Sequence, residues 1–168
     1  MAHSEREVLR LFDEHHAALY RFAWRLTASA ADAEDALQEA FLGLLRPGCA
    51  FDAARAAVRT YLFGAVRNQC LKRLRRREDA GAADAPDGRT PETEVLRGEL
   101  ADAVAAAVAA LPETQREVLI LAHYEQLSLA EIAAITELEV GAVKSRLQRA
   151  RATLRETLAA YAPAERTV

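Results

Sequence analysis

SLAEIAAITELEVGAVKSRLQRARATLRE, Ser128 to Glu156, holds the two halves of one motif. Ser128 is followed three residues later by Glu131. In that pairing a hydroxyl and a carboxylate each take up a free backbone N–H at a helix start. A short helix is therefore predicted from Leu129 to about Ile135. A second begins near Val140, with Val143, Leu147, Ala150 and Leu154 recurring at helical spacing as an inward stripe. Beside that stripe run Lys144, Gln148, Arg151 and Arg155, with Ser145 and Arg149 further round. No acid occurs from Val140 until Glu156. A capped helix, a tight turn and a basic helix make a helix-turn-helix, whose second helix enters a major groove with its N-terminal residues at base edges.

The concentration of positive charge is local, because the whole chain of 168 residues carries a formal charge of −3. The balance hides blocks. Asp32, Glu34, Asp35 and Glu39 occur without a base between them, and Arg67, Lys72, Arg73, Arg75, Arg76 and Arg77 without an acid. Phosphate contact depends on such local ridges rather than on the total, so the distribution points to nucleic acid.

The stretch EDAGAADAPDGRTPETE, Glu78 to Glu94, has glycines, prolines and acids and almost no large apolar residue. It cannot bury enough surface to offset its ordering entropy and reads as a flexible linker. About 17 residues span at most ~60 Å extended and ~25 Å as a coil, so the flanking parts can hold separate sites on one long partner. The domains expected are residues 1–77, an acidic linker over 78–94, and residues 95–168. The fold class is all-α: two small helical domains, the second a helix-turn-helix. In the first, Val8, Leu11, Phe12, Leu19, Phe22 and Leu26 mark one helix. Thr27 to Ala31 interrupts it, and a second helix runs from Asp32 to Leu45, ended by Pro47 and Gly48. A third is expected from about Ala57 to Arg77. In the second domain a helix passes through Leu96, Leu100, Val104, Val108 and Leu111. Pro112 opens the next, which ends near Tyr124.

Other classes find little support. Cys49 and Cys70 form no CxxC and no disulfide framework, so two free thiols are expected. No metal site, cofactor or catalytic motif is expected: there is no HExxH, P-loop, nucleophile elbow or glycine-rich dinucleotide loop. His3, His15, His16 and His123 lack ligand-like neighbours. With neither a signal peptide nor a membrane-length apolar run, a cytoplasmic protein without membrane insertion is expected.

The motif at Ser128–Glu156 resembles the promoter-reading C-terminal domain of bacterial RNA polymerase sigma factors, and LPETQREVLIL before it resembles that domain's start. LYRFAWRLTASAADAEDALQEAFLGLL, from Leu19, resembles the part that docks on core polymerase. FDAARAAVRTYLFGAVRNQCLKRLRRR, from Phe51, resembles the part that melts and reads the −10 element. Their order matches the extracytoplasmic function (ECF) group, which keeps only these two domains. Four departures stand out: Glu137 where glycine is usual in the turn, Glu139 where proline is common, Ala56 for glycine and Tyr61 for tryptophan.

The resemblance implies an alternative sigma factor, not an enzyme, with core RNA polymerase, promoter DNA and an anti-sigma factor as partners. It assigns Asp35, Gln38, Glu39 and Phe41 to core polymerase, the first three sharing a helix face at i, i+3 and i+4. It assigns Arg55, Arg59, Tyr61, Arg67, Asn68, Lys72, Arg73, Arg75 and Arg76 to the −10 strand, where a flipped base stacked on Tyr61 would recover about 1–3 kcal/mol. Lys144, Ser145, Gln148 and Arg149 are candidates for −35 bases, and Arg116, Ser128, Arg146 and Arg151 for phosphates. Two other readings stay open: a helix-turn-helix regulator that acts without polymerase, and a sigma-like decoy that titrates an anti-sigma factor.

Overall fold

The computed structural model describes residues 3–49, 51, 57–81 and 98–161. Among them there are helices and no strands. Helix α1 spans Glu5–Thr27, capped by the Ser4 hydroxyl, which accepts from the Glu7 N–H at 3.3 Å. It stops where Ala28 turns left-handed, at φ 53°, and hands its N–H to the Trp24 carbonyl. Ser29 then caps α2, Ala30–Leu45, by accepting from the Asp32 N–H. Helix α3 spans Val58–Asp79, two residues further than the sequence pattern suggests. Leu19, Phe22, Leu26, Ala36, Leu44, Leu62, Phe63 and Val66 close the space between the three helices. Phe22 meets Phe63 edge to face, with ring centroids 5.4 Å apart. The free thiol of Cys70 lies in this core, and burial pushes its pKa up to about 12. Of the linker, residues 82–94 lie outside the described residues, as does Leu96.

The second group comprises α4 (Glu99–Ala109), α5 (Glu113–Leu119), α6 (Leu129–Thr136) and α7 (Val140–Thr157). Helix α5 runs on into a π turn, Ile120–Tyr124. Val118, Ile120, Leu121, Ile132, Val143 and Ala150 form the centre of this group. The capping box is present in full: the Ser128 N–H donates to the Glu131 carboxylate at 2.8 Å, and the Glu131 N–H donates to the Ser128 hydroxyl at 3.2 Å. The bond from the Ser128 N–H first, and the Ser128 side chain second, ahead of the weaker opposing effect of burial, hold the Glu131 carboxyl below its ordinary pKa.

The turn between α6 and α7 places Glu137 in the left-handed region, at φ 58° and ψ 35°. Its N–H and that of Leu138 both reach the Ala133 carbonyl, which finishes α6. The turn therefore keeps the shape that a glycine would give, and the side chain bears the strain. Glu137→Gly is expected to raise stability by about 0.5–1 kcal/mol, since a left-handed residue with a Cβ costs roughly 1–2 kcal/mol and glycine returns part of that as unfolded-chain entropy. Urea unfolding monitored by circular dichroism checks it. A lower midpoint for the variant would mean that the glutamate side chain holds the turn by a contact.

The two helical groups are in contact. Helix α3 packs on α6, and α1 packs on α5 and the π turn. Buried apolar residues of both groups form one contiguous cluster. A tether long enough to keep the groups apart does not keep them apart here. Apolar packing across the contact is joined there by charged contacts between residues far apart in the chain.

Candidate nucleic-acid interface

Helix α7 presents Lys144, Ser145, Gln148 and Arg149 to solvent in two adjacent columns, because Val143, Leu147 and Ala150 take the opposite face into the core. The four residues expected at phosphates are placed differently. Arg151 is exposed and donates from Nε to His123 Nε2 at 3.2 Å. Burial first, and the Arg151 charge second, lower the pKa of that histidine. Arg146 is half-buried and turns toward the Glu117 carboxylate, 3.8 Å away. Ser128 is exposed but spends its hydroxyl on the helix start. Arg116 is half-buried and donates to the Ala109 carbonyl at 3.0 Å. Its pKa is lowered by burial, against the opposing pull of Glu113.

On α3 the candidates divide. Asn68, Lys72, Arg75 and Arg76 are exposed. Arg73 folds back on Gln69, donating to its carbonyl and side-chain oxygen at 3.1 Å. Arg77 reaches the Thr27 carbonyl and the Asp32 carboxylate, tying the end of α3 to the α1–α2 junction. Tyr61 is half-buried, with its ring 5.0 Å from that of Phe51 and its hydroxyl 3.5 Å from the Cys49 sulfur. Burial first, and Cys49 second, push its pKa up to about 12. Arg55 lies outside the described residues, as does Ala56.

Arg59 and Arg67 face the second helical group. Arg67 makes a two-pronged pair with Glu117, at 2.7 Å from Nε and 3.2 Å from Nη2. Arg59 donates to the Glu125 carbonyl at 2.9 Å. Arg25 of α1 lies 4.1 Å above the Tyr124 ring and 4.0 Å from the Glu125 carboxylate. Glu117 is only 1% exposed. Neither it nor Arg25 attracts notice in the sequence, because Arg67 and Tyr124, the partners they meet across the contact, sit 50 or more residues away.

On α2, Asp35 and Gln38 are exposed, and Glu39 is half-exposed and paired to Arg46 at 3.2 Å. Phe41 does not share that surface. It is buried against Phe12, with ring centroids 5.1 Å apart, because it continues the apolar stripe of Leu37 and Leu44. The apolar residue that the face does offer is Leu42, 48% exposed and one turn beyond Gln38. A spacing of i, i+4, i+7 from Asp35 points to it. Elsewhere, an apolar groove of about 610 Å³ opens between α4, the π turn and α7, with Arg151 and Arg155 at its rim. Among the described residues no cluster of His, Cys, Asp or Glu could hold a metal, and no helix is long and apolar enough to cross a membrane.

Comparison with known proteins agrees with this layout. Residues 11–79 match the family described as Sigma-70 region 2, and residues 101–154 match Sigma-70, region 4. The chain is 38% identical to the ECF RNA polymerase sigma factor SigL of Mycobacterium tuberculosis, covering 94% of this chain and 92% of that protein. It is 36% identical to SigM of the same organism, covering 89% and 76%. The sigma factor RpoE of Bartonella quintana, solved in complex with the anti-sigma factor NepR, superposes with a TM-score of 0.77 at 25% identity, over 92% of this chain and 98% of that one. CnrH, solved with the cytosolic domain of CnrY, gives 0.68 at 26% identity, over 95% and 92%. A region 2 three-helix unit followed by a region 4 helix-turn-helix, with relatives matched over nearly their whole length, places the chain in the ECF group of RNA polymerase sigma factors, the alternative factors that direct transcription initiation.

Proposed function

We propose that the two helical groups divide the sigma factor's work: residues 1–77 dock on core polymerase and read and melt the −10 element, residues 95–168 read the −35 element, and residues 78–94 tether them. The observation that carries this reading is the α7 surface, where Lys144, Ser145, Gln148 and Arg149 stand exposed on a helix whose other face is fixed in a complete helix-turn-helix. Such a surface can reach base edges, while flanking arginines contribute sequence-independent attraction. The α2 face of Asp35, Gln38, Glu39 and Leu42 is the docking surface for polymerase, its acids setting orientation and encounter rate more than affinity. Asn68, Lys72, Arg75 and Arg76 line the −10 strand. The chain works in the cytoplasm and performs no catalysis, supplying address and melting to polymerase.

An anti-sigma factor is the expected regulator, a reading supported by the two solved relatives, each held by a partner protein. The deciding experiment mixes the purified chain with core polymerase and a promoter library and sequences the transcript starts. Enrichment of a shared pair of −10 and −35 sequences supports the reading. Polymerase binding without enrichment favours the decoy, and enriched DNA binding without polymerase favours the regulator.

A further inference from the structure

The contact between the two helical groups has a chemical centre. Glu117 is buried, and both its oxygens accept from Arg67 of α3, while Arg146 of α7 stands 3.8 Å from Oε1 without a hydrogen bond. One carboxylate thus lies between an arginine of the −10 helix and an arginine of the recognition helix. Arg59 is engaged nearby on the Glu125 carbonyl, and Arg25 over Tyr124 adds a contact that involves no candidate DNA residue.

We infer that Glu117 is an exchange latch: it holds Arg67 when the groups are closed, and it passes to Arg146 when they part. The inference rests on the sigma reading above, because it concerns access to the −10 residues. Its physical basis is the cost of isolating a buried charge. Losing one partner of a buried pair is strongly unfavourable when nothing replaces it. Arg146 is already beside the carboxylate, so Arg67 can leave without stranding it. In the closed form Arg67 and Arg59 are withheld from a DNA strand, while Lys144, Gln148 and Arg149 stay exposed. Opening releases Arg59 and Arg67 and in the same step ties the recognition helix to α5 through Arg146.

The exchange predicts opposite effects from substitutions on α5 and α7. Glu117→Gln weakens the closed state. The free chain should show a larger radius of gyration by X-ray scattering and bind a short random single-stranded DNA about tenfold more tightly, as expected when a binding-competent form rises from a minor population. Arg25→Gln should act in the same direction without touching the carboxylate, and it decides the matter if Glu117→Gln fails to fold by circular dichroism. Arg146→Gln removes the replacement partner, so strand affinity should fall several-fold although Arg146 lies in the other group. In a Glu117→Gln background that loss should vanish, the signature of two residues acting on one equilibrium. An unchanged radius of gyration in both Glu117→Gln and Arg25→Gln, or an Arg146→Gln loss that persists in the double variant, overturns the latch. Promoter-specific initiation by the unaltered chain with core polymerase is measured alongside. Its failure would remove the sigma reading while the scattering result still decides whether the latch exists.

Discussion

Phe63→Ala is expected to lower the unfolding free energy by about 3–5 kcal/mol, the range for emptying a fully buried aromatic site. Phe63 is 1% exposed, and its ring is locked edge to face on Phe22, between Leu62 and Val66. All three N-terminal helices share the core it belongs to, so no single helix can move to fill the space. The Arg59 guanidinium also sits 5.4 Å from the ring centroid, so the cavity loosens the same arginine that reaches Glu125. A domain with about 5–15 kcal/mol in hand loses a large share, and the melting temperature should drop on the order of 10 °C. Leu9→Ala is the matched control, a large apolar residue on α1 that is 64% exposed, and it should stay within about 0.5 kcal/mol. Equal midpoints for the two variants in urea would mean that the three-helix core is packed around other residues.

Features that local chemistry decides are legible in the residues alone. Ser128 and Glu131 announce a helix start because capping is a four-residue event. The end of one apolar stripe and the start of the next locate the α6–α7 turn, and the cost at Glu137 follows from its place in that turn. Phe41 is a different case. Its nearness to Glu39 suggests a surface, but its own stripe with Leu37 and Leu44 argues for burial, and packing against Phe12 decides the matter. Arg116 illustrates another limit: a cation at a helix start serves equally well for a phosphate or for the last carbonyl of the helix before it, here Ala109. Least legible is the union of the two helical groups. Composition marks a linker, and a linker permits separation without requiring it. Glu117 carries no local sign of Arg67 and Arg146, which approach it from distant parts of the chain. The alternation of charge blocks is the one signal the sequence offers, since ridges of opposite sign on one polypeptide can meet.

Arg149→Ala and Lys144→Ala are expected to relax promoter choice, at least one of them by about 5- to 150-fold between the preferred −35 sequence and its single mismatches. That span is about 1–3 kcal/mol, the worth of one good bidentate base contact. The structure narrows the choice among the bases of α7. Arg146 leans toward Glu117, and Arg151 donates to His123, so both have intramolecular partners beside the core. Lys144 and Arg149 project from the opposite side of the inward stripe, with Ser145 and Gln148 between them. Lys144 also lies in the N-terminal half of α7, the part of a recognition helix that reaches furthest into a groove, and Arg149 stands just past the midpoint of the helix. Arg151→Ala is the contrast. A lost phosphate contact should weaken all promoters alike and reduce the slope of log affinity against log salt by about 0.9. Transcription from a library randomised at the −35 element, repeated at two salt concentrations, separates the two behaviours. If Lys144→Ala and Arg149→Ala both shift every promoter by one common factor, base reading belongs to Ser145 and Gln148 or to the shape of the groove, and the two cations serve only for attraction.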